Sequence, residues 1–174
     1  AIACHDTGDG WRYVSGSGDT TVRVWDVEGG AAARPAVDGH GRAVASRACF
    51  DDGRCIVTGS GDGTLLVWDV VKGGAPLLKL EGHTRLVYAI ACHGEGDDWC
   101  IVSGSRDGTV RLWDGAAGAV YPVGSQVASV ALAPRADEVD VCASVGTSFA
   151  RLALRDGPSE LEARVKKEQA RRAA

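Results

Sequence analysis

Ser103, His83 and Asp107 are the residue types of a nucleophilic triad, in which an imidazole takes the hydroxyl proton and a carboxylate fixes the imidazole tautomer. Thr58, His40 and Asp62 offer a second set of similar kind. Two Cys-His pairs, Cys4-His5 and Cys92-His93, carry metal-ligating side chains, and "GSGDG" at 59–63 carries the glycines of a phosphate cradle. Each reading meets an obstacle in the sequence. No Gly-x-Ser-x-Gly elbow follows a predicted strand. The Cys-His pairs sit at equivalent places in two copies of one segment, so they cannot converge on one ion, and neither has local partners at zinc spacing. "GSGDG" lacks the Lys-Ser/Thr and the following helix of a phosphate loop. No catalytic residue, metal site or cofactor is therefore expected.

The elements that must position these residues explain their recurrence. "GSGDTTVRVWD" at 16–26 returns as "GSGDGTLLVWD" at 59–69 and "GSRDGTVRLWD" at 104–114, spaced 43 and then 45 residues apart. "AIACHDTGDGWRYVSGSGDTTVRVWD" at 1–26 matches "AIACHGEGDDWCIVSGSRDGTVRLWD" at 89–114 at most positions. A period in the forties is the mark of a repeat architecture. Within one unit, Leu86–Cys92 is apolar, Glu95–Asp98 is a polar turn, and Trp99–Ser103 is again strand-like. Asp107-Gly108 predicts a two-residue hairpin. Thr109–Trp113 alternates, which puts Val110 and Leu112 on one face and Arg111 on the other. After a turn at Gly115–Gly118, "AVYPV" can supply an outer strand.

Four short antiparallel strands per unit describe the blade of a β-propeller. Gly39-His40 precedes Trp68-Asp69, and Gly82-His83 precedes Trp113-Asp114. With this punctuation the sequence resembles the WD-repeat β-propellers over roughly residues 1–156. The expected fold is all-β: an open arc of about four four-stranded blades at 1–26 (partial), 34–69, 76–114 and 119–156 (degenerate), then a short C-terminal helix at 158–174. The resemblance implies one hydrogen-bonded group per blade, formed by His40, Thr58, Asp62 and Trp68, by His83, Ser103, Asp107 and Trp113, and by Ser15, Asp19 and Trp25 without a histidine. Its physical need is plain, because a buried indole N–H must find an acceptor. The triad types then read as a structural staple. The fourth unit has lost Gly-His, the turn Asp and the Trp. Family members most often have seven blades, so an arc of about four implies a piece of a larger propeller with apolar ends and a tendency to self-associate.

Composition is that of an ordinary globular domain, with 45% hydrophobic and 24% charged residues in 174. No apolar run approaches the roughly 18–20 residues of a membrane span, and no basic-then-apolar leader opens the sequence. The first residue is not Met, which reads as a processed or partial chain. Net charge is −4, and the tail from Pro158 is net basic, so the body is acidic. An acidic body argues against generic phosphate-backbone binding. The six cysteines, Cys4, Cys49, Cys55, Cys92, Cys100 and Cys142, form no C-x-x-C pair and adjoin apolar runs. They read as buried free thiols in a reducing compartment, cytoplasmic or nuclear.

What remains is binding. The resemblance implies a non-catalytic scaffold that presents propeller rims to other proteins, with no membrane, nucleic-acid or small-molecule partner expected. One rim carries Arg42, Arg85, Leu86, Tyr88 and Arg106, of which Tyr and Arg are favoured contact types. The other carries turn carboxylates from Asp6 to Glu138, which turns favour on their own account. The tail "PSELEARVKKEQARRAA" has the Ser159/Glu162 capping box of a solvated helix. An alternative is a substrate-receptor or adaptor subunit of a ubiquitin ligase. Receptors of one such class often carry Trp-Asp-x-Arg/Lys, which "WDVE", "WDVV" and "WDGA" lack.

Overall fold

Period-two alternation and glycine-bearing turns resolve into short antiparallel sheets, one per unit. The computed structural model describes residues 2–6, 11–26, 39–51, 53–70, 72–95, 98–114, 117–134 and 138–155. The first sheet holds β1 (Ile2–Asp6), β2 (Trp11–Gly16) and β3 (Val22–Asp26). The second holds β4 (Val44–Phe50), β5 (Cys55–Ser60), β6 (Leu65–Asp69) and β7 (Leu78–Leu80). The third holds β8 (Val87–Glu95), β9 (Asp98–Ser105), β10 (Thr109–Asp114) and β11 (Ala117–Pro122). The fourth holds β12 (Val127–Pro134), β13 (Glu138–Val145) and β14 (Ser148–Arg155). Every pairing is antiparallel between neighbours in sequence. This is an all-β arc of propeller blades, four-stranded in the second and third and three-stranded, among the described residues, in the first and fourth. The helix expected at 158–174 lies outside the described residues.

The core lies between blades rather than within them. Val14, Val22 and Val24 of the first blade meet Val44, Ile56, Leu66 and Trp68 of the second. Val57, Leu65, Val67 and Leu80 of the second meet Val87, Ile101 and Trp113 of the third. Val102, Val110, Leu112 and Tyr121 of the third meet Val127, Val141 and Ala143 of the fourth. Trp68 and Trp113 therefore pack on the blade before their own, so they join blades as well as filling one.

The seams are set by a repeated fit. At the start of β4, β8 and β12 a bulge shifts the register, between Val44 and Ser46, Val87 and Ala89, and Val127 and Ser129. The valine at each bulge presses on a glycine of the preceding blade: Val44 on Gly16, Val87 on Gly59, Val127 on Gly104. A Cβ on any of these glycines would overlap the valine side chain. The glycine is required here for close approach. By register, Ser144 occupies the same place in the fourth blade, and its hydroxyl lies 2.8 Å from that of Ser129.

The rest of that face departs from the pattern too. Where the earlier blades have Val22, Leu65 and Val110, the fourth has Phe149, 84% exposed. Where they have Val24, Val67 and Leu112, it has Arg151, whose guanidinium makes a two-pronged bond to the buried carboxylate of Asp140 at 2.8 and 3.2 Å. The end of the arc is thus partly polar, which modifies the expectation of a plain apolar end.

Gly104→Ala is expected to destabilise the chain by about 1–3 kcal/mol through overpacking against Val127. Gly18→Ala, with nothing within 4 Å of the added carbon, should be near neutral. Denaturant midpoints of the two variants check the contrast, and equal midpoints would contradict the fit.

Candidate functional site

In the third blade the Gly-His loop before β8, the end of β9 and the β9–β10 turn converge on the ring of Trp113. The indole N–H donates to Ser103 Oγ at 2.9 Å. Ser103 Oγ lies 2.8 Å from His83 Nε2, and His83 Nδ1 lies 2.8 Å from Asp107 Oδ2. A carboxylate only accepts, so the imidazole proton sits on Nδ1 and the serine hydroxyl donates to Nε2. Asp107 also receives the Thr84 N–H at 3.0 Å, the Thr109 N–H at 2.9 Å and the Thr109 hydroxyl at 2.6 Å. Every member has a partner. Arg111 lies over the indole, 5.7 Å from the ring centroid, and its Nη2 donates to the Gly82 carbonyl.

The second blade repeats the group with one change. Trp68 donates to Thr58 Oγ1 at 2.9 Å, and Thr58 Oγ1 lies 2.8 Å from His40 Nε2. Asp62 is 3.6 Å from His40 Nδ1, and the link runs through Thr64, whose hydroxyl lies 3.2 Å from Nδ1 and donates to Asp62 at 2.7 Å. Asp62 also accepts the Gly41 N–H at 2.6 Å. In the first blade Trp25 donates to Ser15 at 2.8 Å, while Asp19 binds only locally, to Thr21 and to Arg23 at 3.7 Å. No histidine joins the two ends there among the described residues. In the fourth blade Ala143 and Val123 fall near the places of Ser103 and His83, and no such group forms among the described residues.

The Ser103–His83–Asp107 line has the connectivity of a triad, yet Ser103 and the His83 side chain are fully buried. The serine oxygen is capped by the indole, and no path brings a carbonyl to it. What the arrangement does is hold loops. The Asp-Gly turn is a three-residue loop rather than the expected two-residue one: Gly63 N–H bonds Ser60 O, and Gly63 takes φ 84°. Gly108, at φ 81°, does the same. The extra residue lets the Asp side chain reach back to the next Thr N–H and up to the Gly-His loop.

Two hydroxyl pairs extend the group and were not singled out from sequence. Ser60 Oγ donates to Arg42 O at 2.9 Å and accepts the Asp62 N–H. Ser105 Oγ donates to Arg85 O at 3.2 Å and accepts the Asp107 N–H. Thr64 and Thr109 complete the carboxylate's shell. The signal was present as the second Ser of Ser/Thr-Gly-Ser and the Thr after Asp-Gly, both repeated at fixed spacing.

These bonds carry the staple to the rim. Arg42, Arg85 and Arg106 are exposed, Leu86 is half-buried, and Tyr88, the extra residue of the β8 bulge, is 38% exposed. Arg42 and Leu86 both flank Gly61, Arg106 N–H bonds Leu86 O, and the Gly63 turn abuts the Arg85 carbonyl. The structure therefore gathers the five residues in the sector of the second and third blades. Of the carboxylates of the opposite rim, Asp6, Asp51, Glu95, Asp98 and Glu138 fall within the described residues, at or next to strand ends, and Asp9, Asp52, Asp97 and Asp137 lie outside them. Cys49, Cys55, Cys92, Cys100 and Cys142 form no disulfide among the described residues and have intermediate exposure, so they are half-buried rather than buried; the Cys4 side chain lies outside the described residues. Burial raises Cys92 far above the ordinary thiol range and Cys100 to about 11, which leaves both as unreactive thiols. Among the described residues no group of three metal-ligating side chains converges.

Trp68→Ala should cost roughly 3–5 kcal/mol. Asp62→Ala should cost less, about 1–3 kcal/mol, by leaving the Gly41 and Thr64 donors unpaired. Unchanged denaturant stability in either would contradict the staple.

Burial lowers His40 and His83 below 6.5 despite their carboxylate neighbours. The unfolded chain therefore takes up these protons first, and stability falls as pH drops below about 6.5. Burial would raise Asp107, but bonds from Thr109, Thr84 and His83 outweigh it and bring the carboxyl to about 2. A second loss should follow below about 3.8, as the unfolded carboxylates protonate first. Urea midpoints that stay flat from neutral pH into that range would contradict this.

The repeat geometry agrees with known proteins. The WD40 profile, described as WD domain, G-beta repeat, matches residues 1–26, 35–69 and 74–114. A search of curated protein sequences gives no match. Among solved structures the chain is similar to the WD40 beta propeller domain of Doa1, with a TM-score of 0.73 and 21% identity over 90% of this chain. It spans 50% of that chain's length. The fold is shared at that identity, and three matched repeats with two complete indole-centred networks leave one conclusion: the chain belongs to the WD40 repeat family.

Proposed function

We propose that this chain is a non-catalytic interaction scaffold that offers the rim of its second and third blades to partner proteins. WD40 propellers generally serve protein–protein interaction, and the finer assignment to this rim is our reading. One observation carries it. The polar side chains of the two complete networks are spent on one another, whereas the loops they hold present Arg42, Arg85, Leu86, Tyr88 and Arg106 outward. A rigid backbone beneath exposed Arg and Tyr suits a contact surface, because little entropy is lost when a partner docks. The half-buried free thiols support a reducing compartment, cytoplasmic or nuclear. The narrower role of ubiquitin-ligase adaptor draws support from no residue described.

Arg85→Glu with Arg106→Glu is expected to weaken partner capture while the unfolding free energy from urea titration stays within about 0.5 kcal/mol of the parent, as for other surface changes. Affinity capture with mass spectrometry on the two proteins measures it. Unchanged capture at equal stability would move the interface elsewhere.

A further inference from the structure

The rim stands apart electrostatically from the body that carries it. The other cations whose side chains are described are engaged. Arg23 pairs with Asp19, Arg54 and Lys72 with Asp69, Lys79 with Glu81, and Arg151 with Asp140. Arg111 is held by Gly82 O and Trp113, and Arg47 has its own partner. Among the cations whose side chains are described, only Arg42, Arg85 and Arg106 have a guanidinium with no ion pair, hydrogen bond or ring contact. The carboxylates of the same turns cannot serve them, since Asp62 and Asp107 face inward onto backbone N–H groups, threonine hydroxyls and, for Asp107, an imidazole.

The three are also neighbours. Arg42 Cβ lies 3.4 Å, and Leu86 Cδ1 3.7 Å, from where a side chain on Gly61 would start. Arg106 N–H bonds Leu86 O at 2.9 Å, and Arg85 adjoins Leu86 in sequence. Leu86 thus sits amid three guanidinium-bearing positions, with Tyr88 two residues on. The cluster has edges. Gly18 occupies the corresponding turn of the first blade, and Ser125 and Gln126 precede β12 where Arg85 and Leu86 precede β8.

We infer that this sector binds an acidic polypeptide segment that also carries an apolar side chain. The inference rests on the rim being the contact surface and adds the chemistry of what it contacts. Three unpaired guanidinium groups on a chain of net charge −4 are matched by carboxylates, which arginine takes in two-pronged hydrogen bonds. Leu86 and Tyr88 supply the apolar patch that a bare polyanion would leave uncovered. That patch, and the acidic body, favour a peptide over a nucleic acid.

The test uses this chain and a fluorescein-labelled Glu-rich peptide containing one Leu and one Tyr, read by anisotropy. Binding should weaken with added salt and fall roughly tenfold or more in the R42E/R85E/R106E variant. R54E, on the opposite rim, should leave it unchanged. L86A/Y88A should weaken this peptide but not a Glu-rich peptide lacking Leu and Tyr. No measurable binding, or binding indifferent to the triple variant, overturns the inference. Tighter binding of a single-stranded RNA oligonucleotide overturns it in favour of nucleic acid. The two proposals fail separately. If partners from the capture experiment depend on Leu86 and Tyr88 but not on the arginines, the rim remains an interface and its acidic ligand is refuted. If they depend on neither, the rim itself is refuted.

Discussion

A buried indole N–H must be given an acceptor, and much of this structure follows from how that demand is met. In the second and third blades a hydroxyl on the neighbouring strand accepts it, an imidazole nitrogen accepts the hydroxyl's own hydrogen bond, and a turn carboxylate steadies the imidazole directly or through a threonine. The same carboxylate closes the hairpin and reaches the Gly-His loop before the inner strand. One hydrogen-bond requirement thereby fixes a strand pair, a turn and an inter-strand loop together. The cost of an unmet buried donor makes the group cooperative, since each member satisfies two others.

Between blades the constraint is steric. The tryptophans lie on the seams, and the glycine-to-valine contact fixes how near two inner strands come. A chain can thus vary its outer strands and bottom turns while keeping the seam. The first blade shows the partial form: it keeps Gly16 and the Trp25-to-Ser15 bond without a histidine. Thr20 there takes φ 77° at the place where Gly63 and Gly108 stand in the later blades, a conformation unfavourable for a β-branched residue.

The sequence discloses what recurs. Trp, Ser/Thr, His and Asp at constant spacing read as a staple because architecture needs several copies, and the structure joins them in hydrogen-bonded order in two blades. The hairpin's third residue was not legible, since Asp-Gly is also the signal of the shorter loop. Nor was the position of Trp68 and Trp113 between blades, because alternation reports which face a residue takes and not what lies opposite. The serines at 60 and 105 were overlooked because short polar residues in a glycine-rich turn have a sufficient local explanation. The described cysteines are less buried than their apolar settings suggested. That Arg42 joins Arg85 and Arg106 across the seam required three-dimensional register, as it comes from the blade before theirs.

The fourth blade bears on growth. Seams made from two unlike faces are head-to-tail contacts, and head-to-tail contacts propagate until a ring closes or a face refuses the next unit. Three seams here use the same glycine socket. On the outward face of the fourth blade the socket holds a serine, and a guanidinium–carboxylate pair stands where the others have an aliphatic side chain. An arriving blade, from the same molecule or another, would have to strip water from that pair and would find the socket filled. The array consequently has a direction: filament-like extension from its fourth blade meets a penalty that none of its internal seams carries.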